Sequence, residues 1–171
     1  MRDTRKECNY SANGFKDYGG NMKHKIGLYA GSFRPFHLGH LDIAEQAERV
    51  FDSVIIARGI NPSKDHIKDD FIFPLNTLIS KSFNVISFNG LLSDQITILE
   101  NLDYDVTLVR GLRSGADLEY EQNFAAFLKN MKPDVKIVAF YCNPEFRHLS
   151  SSALRDIRKF SEAEYEKYVV K

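Results

Sequence analysis

The chain has 171 residues, 43% of them hydrophobic and 27% charged, enough for one domain with a proper core. Its 23 basic and 23 acidic residues balance, so no global field recruits nucleic acid or an anionic membrane, and neither partner is expected. No apolar stretch approaches membrane-spanning length, no signal-peptide core opens the chain, and Cys8 and Cys142 lie far apart outside any C-x-x-C, which together read as a cytoplasmic protein with reduced thiols.

Residues 1 to 24 are rich in Lys, Arg, Asn, Asp and Gly and show no periodicity, which predicts a poorly packing, disordered extension. Met22 lies just before the first apolar run, so the compact fold is expected over residues 25–171 as a single domain. From there the pattern alternates. Short β-branched runs occur at Ile26 to Ala30, Val54 to Ala57, Val85-Ile86 with Phe88, Val106 to Val109, and Val135 to Tyr141. Their length and continuous apolar character suit the buried strands of a five-stranded parallel sheet. Helical spacing joins Leu41, Ala44, Ala47 and Phe51, extended by Ile43 and Val50; later it joins Leu118, Ala125 and Leu128 with Phe124, Phe127 and Met131. Both stripes are expected to face the core. The whole reads as an α/β, doubly wound, Rossmann-like sheet.

Four patches carry candidate chemistry, and each follows one of the predicted strands. Gly31-Ser32-Phe33-Arg34-Pro35-Phe36-His37-Leu38-Gly39-His40 is a glycine turn leading into a helix start, where unpaired N–H groups and the dipole favour an anion. His37 and His40, three apart, are placed to donate to phosphate oxygens. Asn61-Pro62-Ser63-Lys64 sets a compact positive charge behind a proline turn. Arg110-Gly111-Leu112-Arg113 brackets a glycine turn with two phosphate-clamping guanidiniums. Asp117 and Glu121 share a face of the acidic helix start that follows, so one of them steadies Arg113 or reaches the ligand, while Glu119 reads as solvent facing. Ser150-Ser151-Ser152 heads a last helix, as an N-cap and as a cradle for a polyphosphate. In a doubly wound sheet ligands bind beyond the carboxyl ends of the strands, so all four patches converge on one edge. Neither G-x-x-x-x-G-K-[ST] nor G-x-G-x-x-G occurs in the chain.

The histidine pair around Gly39 resembles the His-x-Gly-His signature of the nucleotidyltransferase superfamily. The four patches together resemble the phosphopantetheine adenylyltransferase family, over about residues 25 to 158. The resemblance rests on Gly31-Ser32-Phe33, Gly39-His40, Leu41-Asp42-Ile43, Pro62-Ser63-Lys64, the Arg110 to Glu121 stretch and Ser150-Ser151-Ser152. It implies a nucleotidyltransferase fold and transfer of AMP from ATP to 4′-phosphopantetheine, giving dephospho-coenzyme A and pyrophosphate. By the same resemblance Ser32, Lys64 and Arg110 would hold the acceptor phosphate, and Ile96 would line the pantetheine channel. Ser32, Phe33, His37, Gly111, Leu112, Arg113, Glu121 and the run Phe146, Arg147, His148, Leu149, Ser150, Ser151 and Ser152 would bind ATP. His40 would bind ATP and stabilise the transition state, with Lys64 and Arg110 as catalytic partners. Mg²⁺ would accompany ATP with few protein ligands, coenzyme A would act as feedback inhibitor, and a homo-oligomer, a hexamer, would form. The sequence departs from the family at Arg34 (usually Asp), at His37 (usually Thr), and between Asp65 and Leu78, where an acidic helix is missing and Pro74 interrupts. Two other readings stay open at this point: a nicotinamide mononucleotide adenylyltransferase, and an inactive adenine-nucleotide sensor on the same fold.

Overall fold

The computed structural model of the chain describes residues 23–60 and 73–171. Five strands form one sheet: β1 Lys25–Gly31, β2 Ser53–Gly59, β3 Asn84–Phe88, β4 Asp105–Leu112 and β5 Lys136–Tyr141. All neighbours are parallel, in the order β3-β2-β1-β4-β5. The helices are α1 Leu38–Glu48, α2 Leu75–Ser80, α3 Leu92–Asn101, α4 Gly115–Met131, α5 Ser151–Arg158 and α6 Glu162–Glu166. The predicted doubly wound sheet is what the chain forms.

The central strands β1, β2 and β4 carry buried apolar runs because both faces of the sheet are covered there. Side chains alternate across it. Tyr29, Val54, Ile56 and Val109 pack on one face with Ile43, Ala44 and Ala47 of α1 and Leu78 of α2. Leu28, Ala30, Ile55, Ala57 and Leu108 pack on the other with Ile96 and Leu99 of α3 and Leu128 of α4. Leu149, Leu154 and Tyr165 form a smaller third cluster around α5 and α6.

Several expectations change. Lys23 and His24 belong to the packed domain: Lys23 pairs with Asp103 at 2.9 Å, and the His24 carbonyl accepts from Asp105 N–H at 3.0 Å. Met22 and the residues before it lie outside the described residues. α1 begins three residues before the predicted stripe and stops at Glu48, leaving Val50 60% exposed beyond it. On α4 the expected core stripe holds only in part: Leu118, Phe127 and Met131 are exposed, whereas Leu128 is buried and Phe124 packs half-buried against the second cluster. Burial of Leu128 contributes about 2 kcal/mol, and Phe124 and the Arg110–Glu121 pair also hold α4 to the sheet. The helices between β2 and β4 had no place in the sequence reading, although Leu92, Ile96 and Leu99 recur at helical spacing.

Candidate active site

The strand order reverses between β1 and β4, with β2 and β3 added on one side and β4 and β5 on the other, the position where a doubly wound sheet opens a crevice. A cleft of about 1110 Å³ lies there. Its walls bring together Ser32, Phe33, His37 and His40 from the first patch, Arg110, Gly111, Arg113, Asp117 and Glu121 from the third, and Ser150, Ser151 and Ser152 from the fourth. Lys64 and its patch lie outside the described residues.

His40 is built into an aromatic nest. The ring of His37 stacks on it at 3.6 Å between centroids, inclined by 21°, and Phe33 and Phe36 close around it at 5.1 and 5.3 Å. Gly39 makes the stack possible: a methyl at that position would stand 3.2 Å from the His37 ring. The backbone N–H of His37 donates to His40 Nδ1 at 3.3 Å. That bond makes Nδ1 the acceptor and leaves Nε2 as the N–H donor of the neutral ring. Burial holds the His40 imidazole well below the usual histidine range, and the stacked His37, Arg113 and Arg110 push the same way. His37 itself is pushed down to about 4, mainly by burial and then by Arg113. Both rings are therefore neutral at physiological pH, dipolar donors rather than cations. His37 Nδ1 is buried with no hydrogen-bond partner among the described residues.

The two arginines do not face the cleft as free forks. Arg110 gives Nε and Nη2 to the two Glu121 carboxylate oxygens, both at 2.6 Å, and Nη1 to the Ala30 carbonyl at 3.0 Å. Its guanidinium also lies over the Phe124 ring at 5.0 Å. Arg113 pairs with Asp117 in the same two-pronged way at 2.9 Å and donates to the Leu149 carbonyl at 2.8 Å. Three of the five N–H groups on each arginine are spent inside the protein, so one hydrogen on each Nη is left for a ligand. Asp117 steadies Arg113, one of the alternatives read from the sequence. Glu121 steadies Arg110, and its carboxylate is committed there. The Arg113 guanidinium and a backbone N–H hold the Asp117 carboxyl below its ordinary range.

The fourth patch opens α5. Ser150 caps it, accepting from Ala153 N–H at 3.1 Å, and Ser151 donates to the Pro35 carbonyl at 3.0 Å, which ties the serine helix to the histidine loop. Arg155 also lines the cleft and donates to the Arg34 carbonyl at 2.6 Å. The sequence reading assigned Arg155 no role, although it stands one turn after the serines on the same helix. Tyr29 and Cys142 line the floor; burial raises the phenol of the first and pushes the thiol of the second up to about 11, so both stay protonated.

Other expected ligands lie elsewhere. Ile96 of α3 is 1% exposed and packs in the core, and Gly90, Leu91 and Leu92 line the cleft instead. Leu112 and Leu149 are buried, and Leu149 serves through its carbonyl on Arg113. Phe146 packs between the first and third clusters. Arg147 and His148 are exposed, with His148 edge-on to Tyr168. A short 3-10 turn, Pro144–Phe146, immediately precedes them. Among the described residues no three His, Cys, Asp or Glu side chains gather as a metal cage, and no helix is long and apolar enough to cross a membrane.

Comparison with known proteins agrees with this geometry. The family model "Cytidylyltransferase-like" matches residues 28–157. A phosphopantetheine adenylyltransferase of Mycoplasma capricolum is 37% identical over 138 residues, covering 78% of this chain and 96% of the relative. One from Streptococcus pneumoniae is 32% identical over 148 residues, covering 82% and 88%. Among solved structures, Plasmodium falciparum nicotinic acid mononucleotide adenylyltransferase superposes with a TM-score of 0.55 at 15% identity, covering 85% of this chain and 90% of that one. Pantoate-beta-alanine ligase from Francisella tularensis superposes at 0.50 and 17% identity, covering 84% and 68%. These structures share the fold. With the relatives alike across almost their whole length and the histidine, arginine and serine patches meeting in one cleft, this chain belongs to the phosphopantetheine adenylyltransferase family.

Proposed function

We propose that the cleft transfers AMP from ATP to 4′-phosphopantetheine, giving dephospho-coenzyme A and pyrophosphate. The observation that carries this reading is the meeting of His40, Arg110, Arg113 and the serine-headed α5 in one crevice. A phosphate oxygen of the acceptor attacks the α-phosphorus of ATP in line. The bond to the bridging oxygen breaks, and pyrophosphate leaves with the electron pair. No covalent enzyme intermediate is needed, so catalysis consists of positioning and charge stabilisation. His40 Nε2–H donates to an α-phosphoryl oxygen, more strongly as charge builds there. Being neutral, it loses no proton and needs none replaced between turnovers.

Ser32, Lys64 and Arg110 hold the acceptor phosphate in this reading, with Gly90 to Leu92 as the apolar wall for the pantetheine arm. Phe33, Gly111, Arg113, Ser150, Ser151, Ser152 and Arg155 hold ATP. Three arginines against two carboxylates leave the described part of the cleft net cationic, which offsets the repulsion between two anionic substrates. Asp117 and Glu121 are both committed to arginines, so Mg²⁺ enters on the triphosphate as part of the substrate rather than in a protein cage. The exposed apolar side chains of α4 support assembly into a homo-oligomer, and the proposed location is the cytoplasm. Feedback inhibition by coenzyme A, which carries the adenylyl and pantetheine groups of the reaction product, is part of this proposal.

The test supplies Mg-ATP with either 4′-phosphopantetheine or nicotinamide mononucleotide and measures pyrophosphate. Release with 4′-phosphopantetheine alone is expected. Release only with the mononucleotide, or with neither acceptor, overturns the proposal in favour of the related adenylyltransferase or of a nucleotide sensor.

A further inference from the structure

The segment that follows α6 crosses the histidine loop as a short antiparallel strand. Leu38 N–H donates to the Tyr168 carbonyl at 2.9 Å, and Val170 N–H donates to the Phe36 carbonyl at 3.2 Å. These two bonds flank an antiparallel bridge between His37 and Val169. The pairing has a particular consequence. Because the flanking residues carry it, His37 keeps both of its own backbone groups for α1. Its carbonyl accepts from His40 and Leu41 N–H, and its N–H donates to His40 Nδ1. The extended backbone of His37, φ −128° and ψ 170°, is the conformation that a strand pairing imposes and that a helix N-cap needs. One residue thus ends a strand and starts a helix, and the orientation of the His40 ring hangs on its amide.

The segment is anchored on both sides. Tyr165 is buried in the third cluster with Leu149, just before the serine helix, and Leu154 on it, and Val170 packs on the first core cluster, which includes Phe36. Tyr168 also meets His148 edge-on at 5.6 Å. The same strand therefore ties the histidine loop to the base of α5, the two walls between which ATP is proposed to lie.

We propose that residues 168–170 are a positioning strap: their backbone holds His37 extended so that its amide fixes the His40 ring with Nε2–H toward the reacting phosphate. The strap touches no substrate and acts through His37 alone. The claim rests on the adenylyl-transfer reading for its kinetic arm and on the geometry alone for its spectroscopic arm.

Val170→Pro keeps an apolar side chain and deletes the N–H that binds Phe36. Val170→Ala restores that N–H with a smaller side chain. The strap predicts that Val170→Pro lowers kcat about ten- to hundredfold, the scale of a misoriented catalytic group, with KM for ATP little changed. It also predicts that Val170→Ala recovers most of the lost kcat. In ¹⁵N spectra of the imidazoles at neutral pH, His40 shows the single Nε2–H tautomer in the unaltered chain and in Val170→Ala, and a tautomer mixture in Val170→Pro. Equal kcat in the two variants, or an unmixed Nε2–H signal in Val170→Pro, overturns the proposal. Should Val170→Pro fail to fold, amide exchange in the unaltered chain decides: Leu38 and Val170 N–H are both protected and open together, whereas an unprotected Leu38 amide rules the strap out. An unaltered chain that shows the His40 tautomer but no pyrophosphate release refutes the adenylyl-transfer reading and leaves the strap standing.

Discussion

Glu121→Ala tests whether the acidic helix behind Arg110 serves the arginine or the nucleotide. In the folded protein the pair is mostly buried, with side chains 19% and 15% exposed, and two charged hydrogen bonds of 2.6 Å join it. Each such bond contributes roughly 1.5–3 kcal/mol, and truncating one partner strands the other's charge. Arg110 keeps the Ala30 carbonyl and the Phe124 ring, and the open cleft lets water reach the freed guanidinium. These offsets bring the expected loss to about 3 kcal/mol, the low end of the sum of the two bonds. For a chain of this length that lowers Tm by roughly 6–12 °C. With its fork released, Arg110 no longer aims its remaining N–H groups, and kcat falls about ten- to hundredfold while KM for ATP rises less than about threefold. Glu121→Gln, which retains one acceptor oxygen, falls between. Thermal unfolding followed by circular dichroism and steady-state pyrophosphate release measure both arms. An unchanged Tm together with a raised KM for ATP and an unaltered kcat would refute the reasoning, because that pattern belongs to a carboxylate bound to nucleotide.

His40→Ala is expected to lower turnover by at least about a hundredfold, the loss of one preorganised donor, with ATP binding by calorimetry largely kept; near-normal turnover contradicts the assignment. His37 gives an acid-stability signature. The unfolded chain takes up its proton near pH 6.5, whereas the folded chain keeps the ring neutral down to about 4. Between those values the unfolded state binds more protons, so stability falls as pH drops, by about 3 kcal/mol from this group at pH 4. His37→Phe keeps a ring against His40 without the titration, and its urea midpoints between pH 6.5 and 4 decline less steeply; parallel declines would exclude His37 as a source. Gly111→Ala puts a methyl 2.9 Å from Ile43 Cγ1 and is expected to cost about 1–3 kcal/mol in denaturant titrations. Ile43→Ala removes the clashing atoms, so the two losses together are expected to be less than additive, and strictly additive effects would argue against the contact.

The strands, their number and the edge at which the patches converge were legible in the sequence, because β-branched runs of this length have few alternatives once both faces of a sheet must be buried. The histidine, arginine and serine patches were legible for a related reason: each stands just past a strand, where a parallel sheet places ligands. What local pattern does not encode is which partner a side chain finds across the fold. The helical spacing of Leu118, Phe127 and Met131 was visible, but they stay exposed, while Leu128 and the half-buried Phe124 pack on the core of the sheet. Ile96 reads alike whether it faces a channel or the core, and the packing of α3 turned it inward. The two arginines announced anion binding, yet their pairing with Glu121 and Asp117, the neutral stacked imidazoles and the strand that Tyr168 to Val170 lay across Phe36 to Leu38 arise from contacts between distant segments. Spacing along a chain determines periodicity and caps; charge state and orientation depend on burial and neighbours, and those exist only once the sheet has closed.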